Sequence, residues 1–318
     1  MTSNFIVAVS AVVPMFILMA IGASVKWAKL LTDSELKRIN RVVFMIFFSC
    51  MIFYNLYITD LESTFKPKLM IFGAGGVLAI FFIALIIVQK FEPDRRRRGV
   101  IVQSLFRSNY VIMGVPIVAN IFGDQNIATT TMMIAIIVPI YNILGVFSLE
   151  IFRDDSSGSL LGKIPHMLLD VLKNPMIVGA IVGAIFLILE IHIPEPILRP
   201  IRQLSSATTP VALVILGASF KLDSTASHRK ELIACMIGRL ILVPAIMMTL
   251  AIELGFRDVD FVTLLSIFAT PCAVASFVMA QQMGGDAELA GSCVVFSSAI
   301  SCVTLFGWIL LFKTLGFF

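Results

Sequence analysis

One arginine, Arg107, stands inside an otherwise apolar run and is followed directly by Ser108, Asn109 and Tyr110, then by Gly114 and Pro116. A guanidinium is permanently charged and presents a planar fork of donors that fits a carboxylate with two bonds. Such a charge at the centre of a bilayer costs at least about 2.5–3.5 kcal/mol on insertion scales and is rarely carried without function. No acidic residue lies near the middle of any apolar run, so an internal ion-pair partner is not evident. The chemistry this points to is recognition of an anion.

Further polar side chains inside apolar runs are candidates to hydrogen-bond that anion. Tyr141 and Asn142 follow Pro139, Thr270 precedes Pro271, Ser276 lies just beyond, and Asn55 sits in an earlier run. Most polar groups in such positions simply bond across helices. Catalysis has less support. No Ser/His/Asp set, paired carboxylates or metal-type spacing occurs at one depth, and the three histidines stand apart. The five cysteines show no CxxC pattern and read as buried thiols. A GxxxxGK[ST] phosphate loop is missing, which argues against an ATP-driven pump. Neither an enzyme nor a cofactor is expected.

The elements that carry these residues follow from composition. The chain has 318 residues, 58% hydrophobic and 14% charged, with mean hydropathy +0.98. Soluble domains are about 45–50% apolar and about 25% charged. The surplus apolar surface must face lipid. Ten charge-poor segments approach the roughly 20 residues that cross a bilayer: 5–25, 42–59, 69–89, 99–123, 125–149, 174–189, 203–220, 232–252, 261–285 and 289–312. The first is too long and lacks the basic start of a cleaved signal. Strands of a membrane barrel would alternate over about 10 residues. The fold class is therefore an all-α membrane protein with ten transmembrane helices. Sixteen basic residues fall in one set of alternate loops and six in the other. The positive-inside rule then puts both termini on the non-cytoplasmic side. The run Arg95 to Arg98 reads as a topology anchor and not as a nucleic-acid patch. Of the two arginines inside runs, Arg239 is placed to snorkel back to the cytoplasmic face.

A weak internal repeat divides the chain. Pro14-Met15 and Gly22-Ala23 match Pro175-Met176 and Gly183-Ala184 at an offset of 161. Ser104, Phe106, Gly123, Asp124, Ala128 and Gly145 match Ser266, Phe268, Gly285, Asp286, Ala290 and Gly307 at an offset of 162. A unit of five spans inserts upside down when repeated, so residues 1–152 and 166–318 form two inverted five-helix repeats joined by a linker at 153–165. Inverted repeats are common in secondary transporters, with the binding site near the midplane.

The equivalent fourth and ninth spans each carry helix breakers at mid-depth. Arg107 lies nine residues beyond Arg98, roughly 13–14 Å or about half the hydrocarbon layer. Gly114 and Pro116 in the fourth span, and Pro271 in the ninth, mark the expected interruptions. Irregular backbone at that depth is tolerated only where protein or a cavity covers it. The half-helices that follow would aim positive dipole ends at the midplane, which suits an anion.

These segments resemble the auxin efflux carrier family, which includes plant PIN-FORMED carriers and bacterial malonate or malate permeases. The resemblance rests on Ser108-Asn109…Met113-Gly114-Val115-Pro116, Pro139-Ile140-Tyr141-Asn142, Pro271…Ser276-Phe277 and Gly284-Gly285-Asp286. It implies a scaffold part and a transport part, with helices 4 and 9 broken and crossing, and with Asn109 and Pro271 at the crossover and substrate site. The long loop of the plant carriers is missing, which favours a small carboxylate over auxin. The expected function is alternating-access transport of such anions across a cell membrane, the inner membrane in a bacterium. The alternatives are an aromatic-acid efflux carrier, an anion channel or a non-transporting sensor. The expected partners are the carboxylate, the lipid bilayer and, as an open option, a second copy in a homodimer; nucleic acid is not expected. Coupling to sodium or protons stays open, because no buried acid or histidine is evident at mid-span.

Overall fold

The structure, a computed structural model, describes residues 2–58, 66–123, 126–153, 172–220 and 228–318. Among these residues all regular structure is helical, in twelve helices. The first six are α1 (Thr2–Trp27), α2 (Asp33–Tyr57), α3 (Pro67–Phe91), α4 (Arg95–Phe106), α5 (Val115–Phe122) and α6 (Ala128–Glu150). The second six are α7 (Pro175–Ile188), α8 (Glu195–Ser219), α9 (Arg229–Glu253), α10 (Asp258–Ala269), α11 (Val274–Gln282) and α12 (Ala287–Thr314). The linker expected at 153–165 lies, apart from Arg153, outside the described residues, as does Asp124 of the repeat.

Five helices (α2, α3, α6, α9 and α12) are long and apolar enough to cross a bilayer. Their outer faces stay greasy: Ile71 and Ile86 on α3 are 73% and 70% exposed. Along α9 the exposed residues Ile233, Ile237, Ile241, Ile246 and Leu250 form a continuous stripe. An apolar patch of that extent would drive aggregation in water and is what a lipid-facing surface requires.

Local chemistry sets the helix ends. Thr32 and Glu35 form a reciprocal capping box on α2. The carboxylates of Asp94 and Asp286 accept from Arg96 N and Leu289 N at the starts of α4 and α12, 2.9 and 3.0 Å long. Asn174 does the same for α7, accepting from Met176 N at 3.0 Å. Each bond satisfies a backbone donor that the first turn leaves orphaned.

The helices sort into two bundles. In one, α1 lies along α8 and α2 along α7, with α2 also touching α8. Glycine permits the closest approach: a Cβ on Gly22 would overlap the Val214 carbonyl, and one on Gly217 the Met19 carbonyl. The other bundle packs α3 with α4 and α6, α4 with α6, α9 with α10, and α11 with α12. Hydrogen bonds that cross between the bundles are long. Asn40 Nδ2 donates to Val278 O at 3.4 Å and Gln282 Nε2 to Lys37 O at 3.5 Å. Asn109 Nδ2 and Asn174 Nδ2 approach the thioethers of Met15 and Met283 at 3.9 and 3.8 Å.

Candidate functional site

Two chain interruptions meet in the second bundle. The chain is non-helical at residues 107–109 between α4 and α5, and at 270–273 between α10 and α11. The two stretches lie antiparallel, with Ser108 opposite Cys272. Asn109 N donates to Pro271 O at 2.7 Å and Ala273 N to Arg107 O at 3.4 Å. Backbone groups freed by each break are thus taken up by the other, which meets the requirement for irregular backbone away from water. Cys272 N is held by Ser297 Oγ of α12 at 3.0 Å.

The first interruption comes earlier than the Gly114 and Pro116 pair would place it. Tyr110–Gly114 is already a π-helical turn, and Pro116 sits in the first turn of α5. The helical stretch runs unbroken from Tyr110 to Phe122, so Pro116 withdraws one backbone donor inside it, next to the wider π turn. Gly114 serves packing instead: an added Cβ would come within 2.6 Å of the Tyr110 ring and 3.1 Å of Ser266 on α10. Neither π turn Tyr110–Gly114 nor α11 has a side-chain N-cap.

Arg107 is 3% exposed. Its Nη2 donates to Asn142 Oδ1 at 2.5 Å and its Nη1 to Gln103 Oε1 at 3.4 Å. Nη1 also meets the thioether of Met279. Gly145 makes room for it, since a Cβ there would lie 2.8 Å from Nη1. Among the described residues no carboxylate pairs with this guanidinium. A thioether is a soft, weak acceptor, so one prong of the fork is held by a partner that a carboxylate oxygen would readily replace.

Other expected residues fall around this centre. Ser108 Oγ and Tyr141 OH share a hydrogen bond of 2.8 Å, and Tyr141 OH also reaches Ile267 O at 3.4 Å. Thr270 Oγ1 turns back onto Ser266 O at 2.7 Å, so its hydroxyl is already used within its own helix end. Pro271 supplies the carbonyl of the crossing, and Ser276 is buried in the first turn of α11. Asn109 faces Met15 of the first bundle. Asn55 lies elsewhere, half-buried near the end of α2, the half that packs on α7 and α8.

Arg239 corrects an expectation. It does not snorkel: it is 0% exposed and lies beneath the crossing. Its Nε donates to Thr270 O at 2.9 Å and its Nη2 to Ile267 O at 2.9 Å. Its Nη1 donates to Leu105 O at 3.1 Å and Phe106 O at 3.5 Å. These carbonyls are the last ones of α10 and α4. A π-helical turn, Gly238–Leu242, carries the side chain inward. Pro244 cannot donate to Leu240 O; the indole of Trp308 does so instead, at 2.9 Å.

A cavity of about 280 Å³ opens near the α4 N-terminus, lined by Arg95, Arg96 and Arg153 with Gly99, Leu149 and Met283 among its walls. Gly99, Leu149 and Met283 each lie four residues along the chain from Gln103, Gly145 and Met279, the residues around the Arg107 guanidinium. The inner walls of the basic mouth therefore lie roughly one helical turn, about 6 Å along the chain, from residues that surround that guanidinium.

Gln103, Met279, Ser297 and the role of Arg239 were not anticipated. Gln103 could have been found from its spacing of one turn before Arg107. The others act through tertiary contacts, and beyond Gly238 and Pro244 beside Arg239 nothing in local sequence marks them.

The family described as membrane transport protein matches residues 7–161 and 159–309 of the chain. An uncharacterized transporter of Methanocaldococcus jannaschii is 25% identical over 307 residues, covering 93% of this chain and 96% of that protein. An uncharacterized transporter of Methanothermobacter thermautotrophicus is 23% identical over 308 residues, 96% of this chain and 98% of the other. A Rhizobium meliloti protein named "Putative malonate transporter" is 27% identical over 143 residues, 44% of each chain.

Proposed function

The chain belongs to the membrane transport protein family, the family of the auxin efflux carriers, and from that premise we propose that it is a secondary carrier of small carboxylates such as malonate or malate. The observation that carries this reading is Arg107, buried beside two crossing helix breaks with amide, thioether and no acid around it.

Charge balance favours a dicarboxylate. Each helix end contributes about half an elementary charge. The C-terminal ends of α4 and α10 are answered by Arg239. That leaves the N-terminal ends of the helical stretch Tyr110–Phe122 and of α11, and the whole charge of Arg107, in sum about +2. A dianion of three or four carbons neutralises that sum, and a monoanion halves it. Arg107 grips one carboxylate, with Met279 and Asn142 giving way; Ser108 and Asn109 of the crossing, with Tyr141 of α6 beside them, bond the other. The arginine-lined cavity offers the anion an approach.

A carrier of this kind is built from ten spans in two inverted repeats. Counting α4 with α5 and α10 with α11 as single broken spans turns twelve helices into ten. The exchange of first helices is reciprocal, α1 on α8 and α7 on α2, as a two-fold relation between halves requires. The second bundle holds several bonds of 2.5–2.8 Å, whereas those described across its boundary are 3.4 Å or longer; this supports a shift of one bundle against the other, a shear-like motion. Both termini then lie on the non-cytoplasmic side of a cell membrane.

The test is uptake of labelled malonate, malate and indole-3-acetate by reconstituted vesicles, with and without imposed sodium and pH gradients. Saturable dicarboxylate uptake that Arg107→Ala abolishes, with inserted protein unchanged, is the expected result. Uptake with unchanged KM in that variant would remove Arg107 from the site. Preference for indole-3-acetate would move the reading to aromatic-acid efflux, current at channel rates to a channel, and binding without flux to a sensor.

A further inference from the structure

Arg239 occupies a place that a free ion would otherwise want. Its four carbonyl partners, Leu105, Phe106, Ile267 and Thr270, come from the ends of two half-helices that stop at the crossing. Carbonyls at the ends of broken helices are the groups with which transporters commonly coordinate a coupling cation. Here they converge on a guanidinium. We infer that Arg239 is a tethered cation, standing where sodium or potassium would bind between α4 and α10, so that the crossover takes up no metal cation during transport. This rests on reading the crossover as the transport site.

The charge supports the assignment. Two helix C-termini supply about −1 between them, which one guanidinium cancels without any acid. Among the described residues none pairs with Arg239. The four guanidinium-to-carbonyl contacts use Nε and both Nη atoms, so the fork is matched to carbonyls at the ends of two different helices at once. The site is built to hold it: the π-helical turn re-aims α9, Gly238 lies against Leu105, and Trp308 satisfies the carbonyl that Pro244 leaves open. A free ion would arrive and leave with each cycle and couple its gradient to the anion. A covalently tethered charge does neither. The carrier then runs on the anion gradient and membrane potential, or on protons bound elsewhere, and sodium gives it no drive.

The decisive measurement needs no substrate, and therefore stands even if the carried anion is something else. Purified protein is melted in sodium, potassium and choline chloride at equal ionic strength. Wild type is expected to melt at one temperature in all three. Arg239→Gln, which vacates the charge but keeps a polar side chain, is expected to melt lower in choline and to recover several degrees in sodium, potassium or methylguanidinium. A merely structural loss would lower melting alike in every salt. Arg239→Lys keeps a tethered charge and is expected to ignore the cation. Specific stabilisation of wild type by sodium or potassium overturns the inference, and this result is readable even where Arg239→Gln does not fold. A folded Arg239→Gln without cation response, or a sodium response in Arg239→Lys, overturns it too.

Discussion

Replacing Asn142 by aspartate changes one atom type and leaves the side-chain shape intact, yet it places a carboxylate where an amide oxygen now accepts from Arg107 Nη2 at 2.5 Å. The variant carries its own competitor for the substrate. With charge centres about 4 Å apart and an effective dielectric constant of about 20, the added attraction is about 4 kcal/mol. If half of it is lost to desolvation and rearrangement, about 2 kcal/mol remains. The anion must give up that much to reach the guanidinium, so affinity falls between about 30-fold and about 1000-fold. The positive surplus at the crossing also drops from about +2 to about +1, which penalises a dianion further. The assay is the concentration dependence of initial malonate uptake, alongside the melting temperature of the purified protein. KM is expected to rise by at least the lower figure while melting holds or rises, because the internal pair is retained. Asn142→Ser, which removes the amide without adding charge, serves as control and should shift KM far less. An Asn142→Asp protein that transports with unchanged KM would refute the placement of the anion at Arg107.

Three further outcomes follow from the geometry. Gly145→Ala puts a methyl 2.8 Å from Arg107 Nη1 and 3.2 Å from the Met279 methyl; initial uptake should fall sharply while the amount of inserted protein stays the same. Ser297→Ala leaves the Cys272 N–H of the crossing without its 3.0 Å partner, a loss of about 1–3 kcal/mol for a buried donor, seen as lower thermal stability. Gly217→Val drives a side chain into the Met19 carbonyl and must part α1 from α8; melting should drop clearly, and KM measured on the surviving fraction should not move.

The broken helices were legible because their signals are local. Pro271, and Arg107 beside Ser108 and Asn109, are short polar or proline-bearing stretches within apolar runs, and depth can be counted from the nearest charged loop. The exact point of the first break was not. Pro116 is the obvious breaker, but the helical stretch that starts at Tyr110 runs through it to Phe122, and the interruption lies at 107–109. Arg239 was misread for a deeper reason. Its partners are main-chain carbonyls more than a hundred residues from Arg239 on α4 and around thirty residues away on α10, and carbonyls are the same in every residue. A sequence shows which side chains can donate, but not where idle acceptors will gather. The nearby Gly238 and Pro244 are the trace that remained, since a π turn ahead of a proline often marks a functional bend.

The joint between the two interrupted helices is written in main-chain atoms, from Asn109 N to Pro271 O and from Ala273 N to Arg107 O. Bonds of that kind are indifferent to which side chains the participating residues bear. Natural variation can therefore exchange the groups lining the crossing, and with them the cargo, while the mechanical pivot survives each exchange. Paralogues with dissimilar diets on one unaltered framework are the evolutionary signature this construction would leave.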